Sequence, residues 1–209
     1  MTFRFPSCIA TRSKLAMPSA ENTSMRLAST PLMFAIACLL PALAQAAPPT
    51  PLRNGLNRVD FTGDGKTDLV VVAHRENFNA HGFDVVSFHA NDGGLLQVPL
   101  FDGDDESQFA TISGGADCVL HDLRLLPGKR GEPATLVRAD RVLGDSYAAD
   151  AEVTFTWYAL RRNAESDVGY PEYRFERTRT TKAEKAYCDV GEAFAKELGL
   201  PATSAAGGR

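Results

Sequence analysis

The sequence lacks the usual marks of a familiar catalyst. There is no G-x-S-x-G elbow and no H-E-x-x-H pair, and beyond residue 46 no S-x-x-K or K-T-G. Those patterns carry the nucleophile turn of α/β-hydrolases, the helical zinc pair of metalloproteases and the serine chemistry of penicillin-recognising enzymes. The four histidines are not clustered as a dinuclear zinc hydrolase requires. No enzymatic role is therefore expected. Cysteine is scarce, at four, and no C-x-x-C pair is present, which argues against a zinc site. No apolar run reaches the roughly 20 residues that span a bilayer, so no transmembrane segment is expected. No internal repeat is visible. A basic excess is missing too: 22 Lys and Arg stand against 26 Asp and Glu, a formal charge of −4.

What is present begins with an export leader. Met25 and Arg26 precede an apolar run from Leu32 to Leu43, closed by Ala44-Gln45-Ala46. A basic start, about a dozen apolar residues and an A-x-A ending make a Sec-type signal peptide, cleaved near Ala46. Residues 1–24 delay that signal, which points to Met25 as the true start. A lipoprotein signal ending at Cys38 is the weaker alternative, because the apolar run continues past that cysteine. Removal of residues 1–46 takes away Arg4, Arg12, Lys14, Arg26 and Glu21. It leaves 18 basic and 25 acidic residues, a formal charge of −7. That balance argues against nucleic acid and against anionic membranes, where clustered Lys and Arg supply the affinity. A periplasmic or secreted location follows. Cys8 and Cys38 go with the leader. Cys118 and Cys188 remain, and in an oxidising compartment they allow one disulfide, with two buried free thiols as the alternative.

The 163 residues that follow cleavage are one domain by size. Ala47–Arg58, Pro-rich at its start, reads as a mobile leader, and 59–200 as a single β-rich domain. Strands are expected at Asp68–His74, Phe83–Ala90, Leu95–Leu100, Cys118–Leu126, Ala134–Leu143, Glu152–Arg162 and Tyr173–Thr180, from apolar runs or two-residue alternation. Asn91-Asp92-Gly93-Gly94 marks a hairpin turn. Phe101–Gly115, with its acidic run Asp102-Gly103-Asp104-Asp105-Glu106, reads as a solvated loop. Thr181-Lys182-Ala183-Glu184 fits a capping box, and Ala183, Ala186, Tyr187, Val190, Phe194 and Leu198 follow at helical spacing. Gly199 is placed as C-cap, and 201–209 as a tail. The fold class is α+β: a mainly antiparallel β-sheet or sandwich with a C-terminal helix.

Two neighbouring stretches carry the candidate chemistry. Asp60-Phe61-Thr62-Gly63-Asp64-Gly65-Lys66-Thr67-Asp68 places oxygens at alternate positions around a central glycine, as calcium loops do. Asp60, Thr62, Asp64 and Asp68 would offer side chains and Lys66 its carbonyl, so Ca2+ is the cofactor to consider. The loop resembles the D-x-[DN]-G-D-G-x-x-D loops of β-propeller repeats such as those of integrins, with Thr62 as the departure. A plain turn of solvated aspartates, with Gly63 and Gly65 in unusual dihedrals, is the alternative. Next comes His74-Arg75-Glu76-Asn77-Phe78-Asn79-Ala80-His81, a polar turn between two strands. Arg75, Glu76, Asn77, Asn79 and His81 form either a ligand or partner site or an internal hydrogen-bond network. His121, and the aromatic group Phe155, Trp157, Tyr173 and Phe175, read as structural.

The segment NGLNRVDFTGDGKTDLVVVAHRENFNAHGFDVVSFH, from Asn54 to His89, resembles the N-terminal part of the carbapenem intrinsic resistance family of periplasmic proteins. Asp60, Gly63, Asp64, Gly65, Asp68, Leu69, Arg75, Glu76, Asn77, Asn79, Ala80, His81 and Asp84 carry the likeness. The resemblance implies a homodimer that protects cells from a β-lactam without β-lactamase chemistry, and it supplies no catalytic residues. The expected function is that of an exported, non-catalytic protein conferring antibiotic tolerance by binding the drug or a periplasmic protein target. The alternative is a calcium-stabilised secreted interaction module with no antibiotic role.

Overall fold

The computed structural model describes residues 47–79, 81–114 and 118–202. The signal peptide, the Met25 start, Ala80 and residues 203–209 of the expected tail lie outside the described residues. Strands β1 (Gly55–Val59), β2 (Asp68–Arg75) and β3 (Phe83–Asn91) form an antiparallel meander. Short strands β4 (Leu95–Val98), β5 (Leu100–Asp102) and β6 (Asp105–Ser107) follow. Five more strands, β7 (Ala110–Gly114), β8 (Val119–Leu126), β9 (Thr135–Arg141), β10 (Val153–Arg162) and β11 (Tyr173–Lys182), pair antiparallel in order. Helix α1 (Val190–Leu198) is the last element among the described residues. This is the expected α+β class, a mainly antiparallel sheet with one C-terminal helix.

The sheet closes on itself through β3. The first half of one β3 edge bonds β7, and the second half bonds β4. Pro99 then turns the chain so that β5 lies parallel to β11, with Phe175 N donating to Pro99 O at 2.8 Å. Closure defines two faces. Val70, Val72, Val86, Phe88, Leu123, Leu136, Tyr158 and Phe175 pack on the inner face in the main core. On the outer face of β8, β9 and β10, Val137, Ala139, Val153 and Phe155 pack against Tyr187, Val190, Ala193 and Phe194. The alternation of β10 is realised as read: Val153 and Phe155 face α1, and Tyr158 and Leu160 face inward. The aromatic group is structural but divided, Tyr173 and Phe175 inside, Phe155 and Trp157 under α1.

Four expectations are corrected. The stretch 47–58 is not a mobile leader. Thr50 bridges Leu125, Leu52 is buried in the core, and Gly55–Val59 pairs with β2. The acidic segment after Phe101 is not loop throughout but holds the β5–β6 hairpin, turned at Gly103 with φ 71°, and then β7. Leu95–Leu100 is not one strand, because Pro99 divides it. The helix begins eight residues late, cap to cap. Thr181 and Lys182 pair with Phe155 and Thr154, so the open edge of β10 takes residues that local capping chemistry would have placed in a helix. The N-cap is Asp189, whose side chain accepts from Gly191 N. Gly199 is the left-handed C-cap as expected, with φ 65°. Cys118 and Cys188 form the disulfide, with Cα atoms 5.6 Å apart, tying the start of β8 to the residue before the cap. The free-thiol alternative is set aside.

Candidate functional site: one rim of the closed sheet

The strand registers set a continuous row across the molecule: Arg75, Phe83, Ser113, His121, Asp140, Thr154 and Lys182. This row is one rim of the sheet. The polar turn after β2 leaves from it, and so does the loop between β9 and β10. The aspartate loop lies at the other end of β2, eight residues away, or about 25 Å along an extended strand. The two adjacent stretches of sequence therefore serve opposite ends of the fold.

At the far end, the aspartate loop is held by its own amides. Asp68 is fully buried; Oδ2 accepts from Phe61 N, Thr62 N and Thr62 Oγ1, and Oδ1 from Asn91 N at 2.9 Å. Asp60 accepts from Gly63 N and Gly65 N. Asp64 accepts from Lys66 N, whose hydrogen bond holds its carboxyl below the usual range, and its other oxygen lies 3.1 Å from Lys66 Nζ. Gly63 and Gly65 take φ 77° and 83°, as expected of the turn. Gly63 lies against the Glu132 carbonyl, where a Cβ would not fit. Asp60, Thr62, Asp64, Lys66 and Asp68 thus share one loop, but the carboxylates of Asp60, Asp64 and Asp68 are directed at N–H and O–H donors. Among the described residues, no three Asp, Glu, His or Cys are grouped to hold a metal ion.

The rim turn also shapes itself in part. Glu76 Oε1 accepts from Phe78 N at 2.7 Å, Asn79 Oδ1 from His81 N at 2.8 Å, and Asn77 Nδ2 donates to His81 O. Arg75 lies over the Phe83 ring, 5.2 Å from its centroid. His74 Nδ1 meets Asp84 at 2.8 Å. So Arg75, Glu76, Asn77, Asn79 and His81 are together, and much of their polarity is used within the turn. Two features exceed what a self-contained turn needs. Phe78 sits at its tip with φ 56°, a left-handed backbone that costs a side-chain-bearing residue about 1 kcal/mol or more, and its ring is 96% exposed. The His81 ring stacks on Tyr147 of the β9–β10 loop, centroids 4.5 Å apart. That loop is gathered by buried Arg141, which donates to the carbonyls of Ala149, Ser146 and Tyr147. Val142 and Leu143 are also exposed on it.

Beneath these loops, the inner face carries a polar cluster of which the sequence singled out only His121, as structural. His121 Nδ1 meets Asp140 Oδ1 at 2.9 Å, and Arg138 Nε donates to Asp140 Oδ2 at 2.7 Å. Burial pushes the Asp140 carboxyl up, but His121 and Arg138 outweigh it and hold it below its ordinary value. Arg138 lies near the face of the Tyr158 ring, and Arg177 stands opposite Tyr158 in the ladder, ion-paired with Asp102 at 2.6 Å. Tyr158 itself is fully buried, its hydroxyl has no hydrogen-bond partner among the described residues, and burial pushes its pKa up to about 12. A signal for this cluster existed. Arg138 and Asp140 share a strand face with apolar Leu136, and Thr154 and Thr156 share one with Leu160, so polar residues continue an inward face toward one end.

A mainly antiparallel sheet that closes through β3, braced by one helix and a disulfide, defines a β-rich scaffold with aromatic and charged groups at one rim. Comparison makes the class specific. The family profile described as carbapenem resistance protein CarG-like matches residues 52–196, and the chain belongs to that family. It is similar to the solved structure titled "Crystal structure of CarG", with a TM-score of 0.60 and 29% sequence identity, over 74% of this chain and 99% of that one. A search of curated proteins returns no match.

Proposed function

We propose that this is an exported, non-catalytic protein that protects its host from a β-lactam by binding the drug or a periplasmic target. Family membership supports the resistance role. The Cys118–Cys188 disulfide fits an oxidising compartment, and no helix among the described residues is long and apolar enough to cross a membrane. The observation that carries the binding reading is the rim. An apolar ring is held in water on a strained backbone at Phe78, beside a His81–Tyr147 stack on a rigid sheet, as recognition loops are. The non-catalytic reading is supported by the family resemblance, which implies protection without β-lactamase chemistry and supplies no catalytic residues.

The test is expression in a sensitive host under carbapenem challenge. Raised tolerance is expected, with the drug recovered intact after incubation with purified protein. No gain in tolerance would remove the resistance role, and loss of intact drug would make the protein a hydrolase. Calcium belongs to the alternative reading, a secreted interaction module. A melting shift with Ca2+ that vanishes in Asp64→Ala would support it, and no shift would leave the aspartate loop a structural turn.

A further inference from the structure

A buried hydroxyl without a partner is destabilising unless something else uses it. Tyr158 is such a group, and its surroundings say what could use it. The phenol is fully buried, while the Arg138 and Arg177 side chains beside it are 26% and 45% exposed. The site is therefore dry at its floor and open at its rim. Asp140 is engaged by Arg138 Nε and His121; Asp102 Oδ1 lies 2.6 Å from Arg177 Nη1 as an ion pair but, like the Tyr158 hydroxyl, makes no hydrogen bond among the described residues. Arg138 gives Asp140 only its Nε–H, and a guanidinium has four more N–H donors. The Tyr158 phenol keeps its proton far above neutral pH, so it stands as a donor. With Asp102 Oδ1 counted as a free acceptor, the unused N–H and O–H donors of Arg138, Arg177 and Tyr158 still outnumber the acceptors, and an added acceptor of negative charge would use them. Arginine's planar fork suits a carboxylate, which takes two parallel N–H bonds.

We propose that the inner rim is a seat for a small organic carboxylate, held by Arg138 and Arg177 with the Tyr158 hydroxyl donating to it from below. The proposal rests on the binding reading above and gives the drug, which carries a carboxylate, its place. His121 and Asp140 position Arg138 and do not touch the ligand.

Calorimetric titration of the mature protein tests it, with a carbapenem, the same carbapenem as its methyl ester, benzoate and benzylamine as probes. The free acid is expected to bind, and the ester about tenfold more weakly or worse, one lost charge-assisted hydrogen bond being worth about that factor. Tyr158→Phe and Arg138→Gln are each expected to weaken the acid by a similar factor. Tyr158→Phe also has a readout that a structural hydroxyl would not give. Removal of an unpartnered buried hydroxyl should raise the ligand-free Tm, by about 2–4 °C. Equal binding of acid and ester, wild-type affinity in both variants, a fall in Tm for Tyr158→Phe, or preference for benzylamine would each overturn the seat while leaving drug binding possible elsewhere. Benzoate binding that is lost in both variants, with no binding of the drug, would keep the seat and remove the drug as its ligand. If neither acid binds while the host is still protected, the seat is overturned and protection runs through a target.

Discussion

The Asp68 carboxylate is fully buried and accepts from three amides and a hydroxyl, so it joins the aspartate loop to the β3–β4 turn through Asn91. Asp68→Ala would leave those donors buried and unsatisfied, at a cost of about 3 kcal/mol or more. Urea unfolding should show that loss, with a much smaller one for the exposed Asp64→Ala. Tyr158 makes the complementary case, a group whose charge is refused. Burial raises its pKa to about 12, and a hydrogen bond from its hydroxyl to Glu197 does the same for Tyr187. In the unfolded chain a phenol ionises near 10. The folded state therefore keeps the full contribution of these groups below about pH 10 and loses it as pH rises from there to about 12. Tyrosinate absorbance should show two of the five tyrosines ionising near 12, and Tyr158→Phe and Tyr187→Phe should each delete one.

Among the elements, the β2–β3 turn and α1 show two uses of local geometry. Phe78→Gly should remove left-handed strain and raise stability by about 1 kcal/mol, while lowering protection of a challenged host. A mutation that improves the fold and impairs the activity is the mark of a residue kept for contact; a loss of both would make Phe78 structural. Helix α1 needs Gly191 for a different reason. The returning chain passes so close that a Cβ would collide with Ala202 O. That return is gripped by Arg124, which donates to Pro201 O and Ala202 O, pairs with buried Asp122 and lies 4.3 Å from the Phe194 ring centroid. Gly191→Ala should release Pro201–Ala202 and expose it to protease, with a lowered Tm.

For the whole molecule, closure and the disulfide set the terms. A link across 70 residues contributes about 4 kcal/mol in the chain-entropy account, so reduction should lower Tm markedly and loosen α1 from the start of β8 before the inner core opens. Acid should act on the rim. Asp140 has a depressed pKa, so its stabilisation is present above the ordinary carboxylate range, near 4, and is lost as pH falls below it. Asp140→Asn should flatten that acid limb. The homodimer implied by the resemblance belongs with the proposed function, and sedimentation equilibrium at twice the monomer mass would support it.

Sequence periodicity was enough for β2, β3 and β8 to β11, because burial on one face imposes a two-residue alternation on the chain itself. The turn glycines, the Gly199 cap and the Cys118–Cys188 pairing were legible too, since dihedral limits and cysteine number are local facts. Tertiary structure decided the rest. It gave Thr181 and Lys182 to β11 because β10 offered them an edge, and it took Gly55–Val59 into the sheet because β2 did. It also buried Asp68, which the sequence presents as one aspartate among several. Most of all, it drew His121, Arg138, Tyr158 and Arg177 together on the inner face from four strands, β8 to β11. No spacing in the sequence encodes that meeting, because it depends on the registers of a sheet that closes through β3.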